Sequence, residues 1–332
     1  MRETLMLVVC MAVTSVGFAK QNDLEYRRAR RDGAVARILV HVVDDAGMNV
    51  SNASVRVFMG MNFRPRGHYV SGVSDANGCF LAEGLTCGDE IVIDVMQTGS
   101  YSSTKKLCFA KIGEEHEVCD GKWLPFGATE EIESRRIKKP LDLAWQGDFV
   151  HTTNLNEWIG FDLQAMDFVW PHGHGVVADF DVRINWDGHA HKDYRGMGVK
   201  IRFTERGAGF AVVPVRRDSS FKGPYQANVS DKYDQTSAEF YEKVLEDQSC
   251  ETCLWNENSY WVVRSRCSVN DSGEVVAANY SVVNSIQFSG SKDGLGGVRV
   301  IGLFNPTPND TNLEPMSYEA KRWLKGQKSG KR

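Results

Sequence analysis

The sequence lacks the short motifs that mark several well-known enzyme classes. It has no Gly-x-Ser-x-Gly nucleophile elbow, no phosphate-binding P-loop and no His-Glu-x-x-His zinc motif. The hydrolases, nucleotide-binding enzymes and metalloproteases that depend on these motifs are therefore excluded. It also has no internal repeat and, beyond its first nineteen residues, no apolar run long enough to cross a bilayer, which takes about 20 residues.

A strong excess of charge of either sign is missing as well. The chain has 39 Lys and Arg residues against 43 Asp and Glu, a net charge of −4. This balance argues against a general nucleic-acid binder, so we expect no nucleic-acid partner. Residues 316–332 are the exception, with six basic residues and one acidic residue. We interpret them as a basic tail that frays into solvent.

Residues 1–19 have the pattern of a secretory signal peptide. Arg2 supplies the positive start, Leu5 to Val16 the apolar stretch, and Gly17-Phe18-Ala19 a small-x-small cleavage site. We therefore expect an exported protein, either secreted or located in the periplasm or cell envelope. We expect no transmembrane segment after the signal is cleaved.

Cysteines are few but odd in number after the predicted cleavage site. Disulfides are permitted in an exported protein, and an odd count leaves at least one thiol unpaired or bridging elsewhere. The pair at 250 and 253 has Cys-x-x-Cys spacing. The favoured interpretation of this pair is a structural disulfide or free thiols. Metal binding and redox chemistry stay open as alternatives. The seven residues are Cys79, Cys87, Cys108, Cys119, Cys250, Cys253 and Cys267.

Short β-rich runs alternate with Asp, Asn and Gly turns in the first third of the chain. The runs are 38–43, 55–57 and 91–95, and a strong turn sequence stands at 75–78. This pattern is typical of a small antiparallel sandwich. Residues 37–112 resemble the carboxypeptidase regulatory-like module, a prealbumin-like or immunoglobulin-like β-sandwich of secreted bacterial proteins. The resemblance implies a structural or binding unit without catalytic residues.

The rest of the chain is predicted to be a larger β-rich domain at 141–315, after a linker at 20–36 and a connecting segment or exposed strand at 113–140. One short helix is expected at 237–246, since Thr236 and Glu239 fit a capping box and Phe240 begins an apolar stripe. The fold class is thus mainly β. The candidate strands are 149–152, 159–163, 176–186, 199–203, 210–215, 260–267, 274–288 and 298–303.

Four pieces of this second region match a weaker pattern. They are Ile159-Gly-Phe-Asp-Leu163, Pro171-His-Gly-His-Gly175, Tyr260-Trp-Val-Val-Arg264 and Leu303-Phe-Asn-Pro306. The region resembles an uncharacterised domain that follows similar sandwich modules in secreted bacterial proteins. The resemblance implies one folded unit and brings no activity with it.

Two His-x-His pairs are the candidate metal ligands: His172 with His174, and His189 with His191. Side chains at i and i+2 on a strand share a face, so each pair could bind one metal ion. A strand at 176–186 would hold the two pairs about 36 Å apart, which disfavours a shared site. A metal site of two histidines completed by Asp187 or Asp193 stays open. The favoured interpretation is that these are ordinary loop histidines, and we predict no cofactor.

All eight tryptophans follow residue 120. Exposed indole rings stack on sugars, so Trp158, Trp170 and Trp186, which lie near loops or strand ends, are the candidate ligand-binding residues. Paired carboxylates would be needed for glycoside hydrolysis. The candidate catalytic pair is Asp179 and Asp181, which would lie about 7 Å apart on one face of a strand. Asp162 and Asp167 are further candidate carboxylates.

The sequence favours an exported, non-catalytic structural or binding protein, with a polysaccharide or another envelope protein as its partner. The alternative is a carbohydrate-binding or carbohydrate-active protein. No residue is assigned a catalytic role. Enzymatic activity stays open but is not the favoured interpretation.

Overall fold

The computed structural model describes residues 24–60, 68–88, 90–109, 118–143, 145–187, 196–216, 218–244, 249–290 and 294–329. Within them the chain is mainly β, which confirms the predicted fold class. The helices are α1, residues 24–32, and α2, Tyr318–Ser329. The strands are β1 (Ala34–Asp44), β2 (Ser54–Met59), β3 (His68–Val73), β4 (Cys79–Thr86), β5 (Glu90–Met96), β6 (Ser103–Cys108), β7 (Val118–Cys119), β8 (Lys122–Trp123), β9 (Ala128–Ser134), β10 (Trp145–Gln146), β11 (Val150–Thr152), β12 (Ile159–Asp162), β13 (Asp167–Phe168), β14 (Phe180–Asp187), β15 (Gly196–Arg202), β16 (Gly209–Pro214), β17 (Ser237–Val244), β18 (Cys250–Cys253), β19 (Ser259–Val269), β20 (Val275–Gly290) and β21 (Gly296–Asn305).

Two compact units divide the chain. The first comprises Met1–Ile137, Arg217–Phe221 and Glu319–Arg332, and the second comprises Lys138–Arg216 and Lys222–Tyr318. None of the helices described is long and apolar enough to pass through a membrane.

The first unit has two sheets that share one core. One sheet runs β4-β1-β8-β7, with β9 also pairing with β1, and the other runs β3-β2-β5-β6. In β1 the buried residues alternate with half-exposed ones, as expected when one face of a strand packs on a core. Ile38 of the first sheet and Val57 and Ile93 of the second are fully buried in the same cluster. The Trp123 indole closes this core and donates a hydrogen bond to the Thr86 carbonyl at 3.0 Å.

Part of the segment expected to connect the domains forms strands of this first unit. β9 pairs with β1 in parallel, from Ile38 opposite Ala128 to Asp44 opposite Ser134. At its C-terminal end Ile132 and Ser134 are buried, while Glu131 is exposed and Glu133 is half-exposed on the other face. The alternation is the physical reason that such a charged run forms a strand.

Each of the two ends expected to be irregular contains a helix. In the predicted linker, α1 buries Ala29 and sets Tyr26 edge-on to Trp123. In the predicted frayed tail, α2 is tied down because Ser102 Oγ donates to Glu319 Oε1 at 3.0 Å and Trp323 packs on Gly99. Fraying of the tail was therefore a wrong expectation for Tyr318–Ser329.

The second unit also has two sheets, and the larger of its two hydrophobic clusters lies between them. Their strand orders are β10-β21-β20-β19-β16, with β11 beside β21, and β13-β12-β14-β15-β17-β18. The core between them is rich in aromatic side chains. Phe210 stacks on Trp261 with a centroid distance of 3.8 Å, and Phe161 stacks on Phe180 at 5.4 Å.

The helix predicted at 237–246 is wrong, because β17 occupies Ser237–Val244. β17 lies between β15 and β18, with Phe240 opposite Val199. Phe240 is buried in the core while Glu239 and Glu242 are exposed. A helix cap contributes about 1 kcal/mol, which is less than the pairing of both strand edges and the burial of an aromatic ring.

Candidate functional site

A hydrogen-bonded loop, residues 169–178, connects β13 to β14 in the second unit. The Trp170 amide donates to the Gly175 carbonyl at 3.0 Å, and the Gly175 amide donates to the Phe168 carbonyl at 2.9 Å. The Val169 amide donates to the Gly160 carbonyl of β12 at 2.9 Å. These bonds join the two arms of the loop to each other and to the sheet. β14 therefore begins at Phe180, later than the strand predicted from 176.

Two aspartates accept hydrogen bonds from backbone amides of the loop. Asp162 Oδ2 accepts hydrogen bonds from the amides of Val176 at 2.8 Å and Val177 at 3.2 Å. Asp167 Oδ2 accepts from the His174 amide at 2.9 Å and lies 3.0 Å from His174 Nδ1. Carboxylates that accept backbone N–H groups form strong, directional bonds, so the loop has a defined conformation.

The two glycines of the loop are required by close packing. A Cβ at Gly173 would meet the Phe168 carbonyl oxygen, and would lie 2.5 Å from Asp167 Oδ1. A Cβ at Gly175 would lie 2.7 Å from Asp162 Cβ. Such contacts leave no room for a side chain. Close packing therefore accounts for both glycines.

A buried ion cluster lies under the loop and connects it to the other sheet. Arg266 of β19 donates from Nη2 to Asp162 Oδ1 at 2.9 Å, and from Nε to Asp179 Oδ1 at 3.0 Å. Ser265 Oγ donates to the same Asp179 oxygen at 2.6 Å, and the Leu163 amide donates to Asp179 Oδ2 at 2.7 Å. The cluster joins β12, the start of β14 and β19.

A β-bulge in β19 makes this convergence possible. Consecutive side chains of a regular strand point to opposite faces, yet Ser265 and Arg266 both reach Asp179. The register of β19 against β20 shifts between Ser265 and Ser268, and Arg266 has a φ of 52°. A bulge commonly redirects a side chain in this way.

The two buried aspartates have opposite pKa shifts. Burial raises the pKa of Asp179 above its ordinary value, although hydrogen bonds from Arg266 and Ser265 act in the other direction. Burial also acts to raise the pKa of Asp162, but backbone amides outweigh it and the pKa lies below its ordinary value. These amides belong to Val176, Val177, Ala165 and Gln164.

The lowered pKa of Asp162 makes a substitution there pH-dependent. Because the folded-state pKa lies below the unfolded one, the stabilisation is present above about pH 4 and is lost as the pH falls through the folded-state pKa. We expect Asp162→Asn to lower the free energy of unfolding at neutral pH, and the gap to wild type to narrow below about pH 4. Urea unfolding at a series of pH values measures this gap. A gap that stays constant into acid would contradict the assignment.

The loop presents large apolar side chains to solvent although its backbone is fixed. Trp170 is 80% exposed and Val176 is 86% exposed, with Val177 and the His174 ring exposed beside them. Single exposed apolar residues are common, but apolar residues grouped on one loop make it a candidate contact surface.

The three candidate tryptophans have different environments. Trp158 immediately precedes β12 and is half-buried, with the Arg202 guanidinium 4.1 Å from its ring centre. Two residues further on, the side chains of Val169 and Ala178 cover Gly160, so Trp158 lies near the base of the loop.

Trp186 lies at the other end of β14, six residues from Phe180, or about 20 Å along an extended strand. Its ring packs against the core and fills the space above Gly290. Trp158 thus lies two residues from the position of β12 that the loop covers, whereas Trp186 lies at the far end of β14.

The histidines of the metal hypothesis are only partly described. His172 is half-buried in the loop and its amide donates to the Val169 carbonyl at 3.0 Å, while His174 pairs with Asp167. His189 and His191 lie outside the described residues. Within the part of the chain that is described, no three His, Cys, Asp or Glu side chains converge on a common metal position.

The carboxylates considered for hydrolysis do not face one cleft. Asp179 is buried and accepts a hydrogen bond from Arg266. Asp181 Oδ2 instead forms an ion pair with Arg202 Nε at 3.0 Å. Asp162 is buried too. Asp179 therefore does not offer the solvated carboxylate that a catalytic pair with Asp181 would need.

The Cys-x-x-Cys pair lies on β18, where all four residues are exposed. Side chains three residues apart on a strand point to opposite faces. Their Cα atoms are then about 10 Å apart, beyond the roughly 7 Å limit for a disulfide. Cys250 and Cys253 thus cannot bridge to each other here, and all seven cysteines described are free thiols.

No family model and no curated protein matches this chain. Among solved structures, it is similar to the 3-chlorocatechol 1,2-dioxygenase from Rhodococcus opacus 1CP, at 11% identity over 32% of this chain and 61% of that one, with a TM-score of 0.25. The catechol 1,2-dioxygenase from Acinetobacter sp. ADP1 matches at 11% identity over 32% of this chain, also with a TM-score of 0.25. The chain spans 54–61% of the length of these two dioxygenases.

A point mutant of the shaft pilin SpaA from Lactobacillus rhamnosus GG is similar over 84% of this chain and 94% of its own, at 8% identity and a TM-score of 0.22. BcpA, the major pilin subunit of Bacillus cereus, matches at 10% identity over 82% of this chain and 95% of that one, with a TM-score of 0.22. At these identities and TM-scores, neither the dioxygenases nor the pilins assign an activity, ligand or partner to this chain.

Sequence reasoning missed the residues that hold the loop. Arg266 and Ser265 received no role, and Val176 was placed within a strand. One signal was available: Arg264 and Arg266 interrupt an otherwise apolar strand pattern, and a buried arginine requires an acidic partner.

Proposed function

We propose that this is an exported, non-catalytic binding protein of the extracellular space or cell envelope, and that loop 169–178 contacts a carbohydrate chain. The observation that carries the proposal is Trp170, an exposed indole on a loop whose backbone is hydrogen-bonded by the buried Asp162 and the half-buried Asp167. Export is supported by the signal-peptide pattern of residues 1–19.

Preorganisation supports a binding role for the loop. A surface that is already ordered loses little conformational entropy when it binds, so more of the contact energy is retained as affinity. The hydrogen bonds to Asp162 and Asp167 provide this order without covering the apolar side chains. Binding therefore requires no folding of the loop.

The chemistry of the loop supports a sugar as the ligand. One face of an indole ring can stack on the apolar face of a sugar ring. When Nδ1 of His174 donates to Asp167, Nε2 is left as an acceptor for a ligand hydroxyl. An aromatic platform beside a fixed polar group suits a saccharide, because a saccharide has both apolar faces and hydroxyl groups.

Exposure of purified residues 20–332 to a glycan array tests the proposal. We expect binding to one class of glycan, and we expect the free oligosaccharide of that class to compete. Absence of binding to any glycan would contradict the carbohydrate assignment. Binding that survives removal of the Trp170 ring would show that the ligand contacts another surface.

A further inference from the structure

The outer face of the sheet formed by β1 and β4 carries an ordered row of side chains in the first unit. Three consecutive cross-strand pairs point away from the core. They are Val35 with Leu85, Arg37 with Glu83 and Leu39 with Leu81. We call these six residues the outer patch. An ion pair thus lies between two apolar pairs.

The outer patch is more apolar than folding of the unit requires. Leu81 is 52% exposed and Leu85 is 51% exposed, while the inward-facing neighbours Ile38 and Ala82 are fully buried. A one-sided antiparallel sheet usually has polar residues on its solvent face. Large leucines in cross-strand rows on that face indicate a surface that another molecule covers.

The charged pair lies at the centre of the outer patch. Arg37 Nε forms an ion pair with Glu83 Oε2. The Arg37 guanidinium also lies 5.0 Å from the centre of the Phe126 ring, and such a contact restrains a cationic side chain. The positive and negative groups therefore lie side by side, on adjacent strands.

We propose that the outer patch binds the outer patch of a second copy of this chain, face to face. A twofold axis parallel to the strands would place Arg37 of one copy against Glu83 of the other, and Leu39 of one against Leu81 of the other. In a twofold dimer the same patch serves both copies, so the patch must complement itself. The outer patch meets this condition in both charge and apolar character.

The charges also define the direction of packing. With the axis perpendicular to the strands, Arg37 would face Arg37 and Glu83 would face Glu83, and like charges brought together at an interface oppose association. Exposed leucines supply the burial of apolar area, and the ion pairs select one orientation. This inference does not depend on the carbohydrate-binding proposal.

Charge-reversal variants test the dimer through its mass in solution, measured by sedimentation velocity. We expect the wild type to sediment as a dimer. Arg37→Glu gives a copy with two acidic groups in the outer patch, and Glu83→Arg gives a copy with two basic groups. Each variant alone should be a monomer, because like charges meet across the axis.

An equimolar mixture of the two variants is the decisive sample. In a mixed pair, both acidic groups of one copy face both basic groups of the other, so the dimer should return. Neither variant regains its own internal ion pair in the mixture, so this restoration reports the interface alone.

Two further variants complete the test. Leu81→Lys should give a monomer, whereas Met48→Lys, at an exposed turn residue of the same unit outside the outer patch, should stay dimeric. Circular dichroism checks that each variant is folded. A monomeric wild type, a mixture that stays monomeric or a dimeric Leu81→Lys would each overturn the proposal.

Discussion

Arg266→Met should lower the free energy of unfolding by about 3–5 kcal/mol at neutral pH, because removal of one partner leaves a buried charge uncompensated. The Arg266 guanidinium supplies hydrogen bonds to both Asp162 and Asp179. Methionine retains much of the apolar stem but none of the donors. Asp179 would then be buried beside Ser265 and the Leu163 amide alone. Urea unfolding of the variant and the wild type measures the loss.

Two comparisons separate this effect from a loss of packing. Adding Asp179→Asn to Arg266→Met removes the orphaned charge and should recover part of the stability. Lowering the pH should also narrow the deficit of the single variant, since protonation neutralises Asp179.

A surface ion pair provides the matched control. Lys200 Nζ lies 3.2 Å from Glu239 Oε2, and both side chains are well exposed. Lys200→Met should therefore change stability by at most about 1 kcal/mol. Equal losses for Lys200→Met and Arg266→Met would contradict the importance given to the buried cluster.

Trp170→Ala should weaken binding of the array-selected glycan by about 30-fold or more, since loss of a central aromatic contact costs about 2 kcal/mol or more. Its stability should change by less than about 0.5 kcal/mol, because the ring lies in solvent. Titration calorimetry and urea unfolding measure the two effects on the same preparations.

Tyr318 offers a matched control for the Trp170 substitution. It is 78% exposed, close to the 80% of Trp170, and lies outside the loop. Tyr318→Ala should leave the affinity unchanged. If both variants lost affinity equally, or if Trp170→Ala kept wild-type affinity, the loop would not be the contact surface.

The architecture was predictable where burial alternates along single strands. In β1 the inward residues from Ala34 to Val42 alternate regularly with half-exposed ones, and this period of two is visible in the sequence. β17 shows this period only in part, because Glu242 is exposed on the face on which Phe240 is buried, and a local capping pattern favoured a helix instead. The error arose because sheet pairing is a long-range effect that local signals do not contain.

The candidate site was predictable only in part. Trp170 was identified because a tryptophan beside Pro171 and two glycines indicates a loop. The arginines of β19 indicated that an acidic partner exists but not which one, since Asp162 and Arg266 are 104 residues apart. The bulge that turns Arg266 toward both aspartates has no clear sequence signal, so the cluster becomes visible only in the folded chain.

The indole N–H signals of the ¹⁵N-labelled chain test the central claim most directly. Each tryptophan gives one such signal, and Trp170→Ala identifies the signal of Trp170 by its loss. On addition of the array-selected glycan, the account predicts that the Trp170 signal shifts and the signal of the core-packed Trp186 does not. A bound glycan that leaves the Trp170 signal in place and shifts another indole would contradict it.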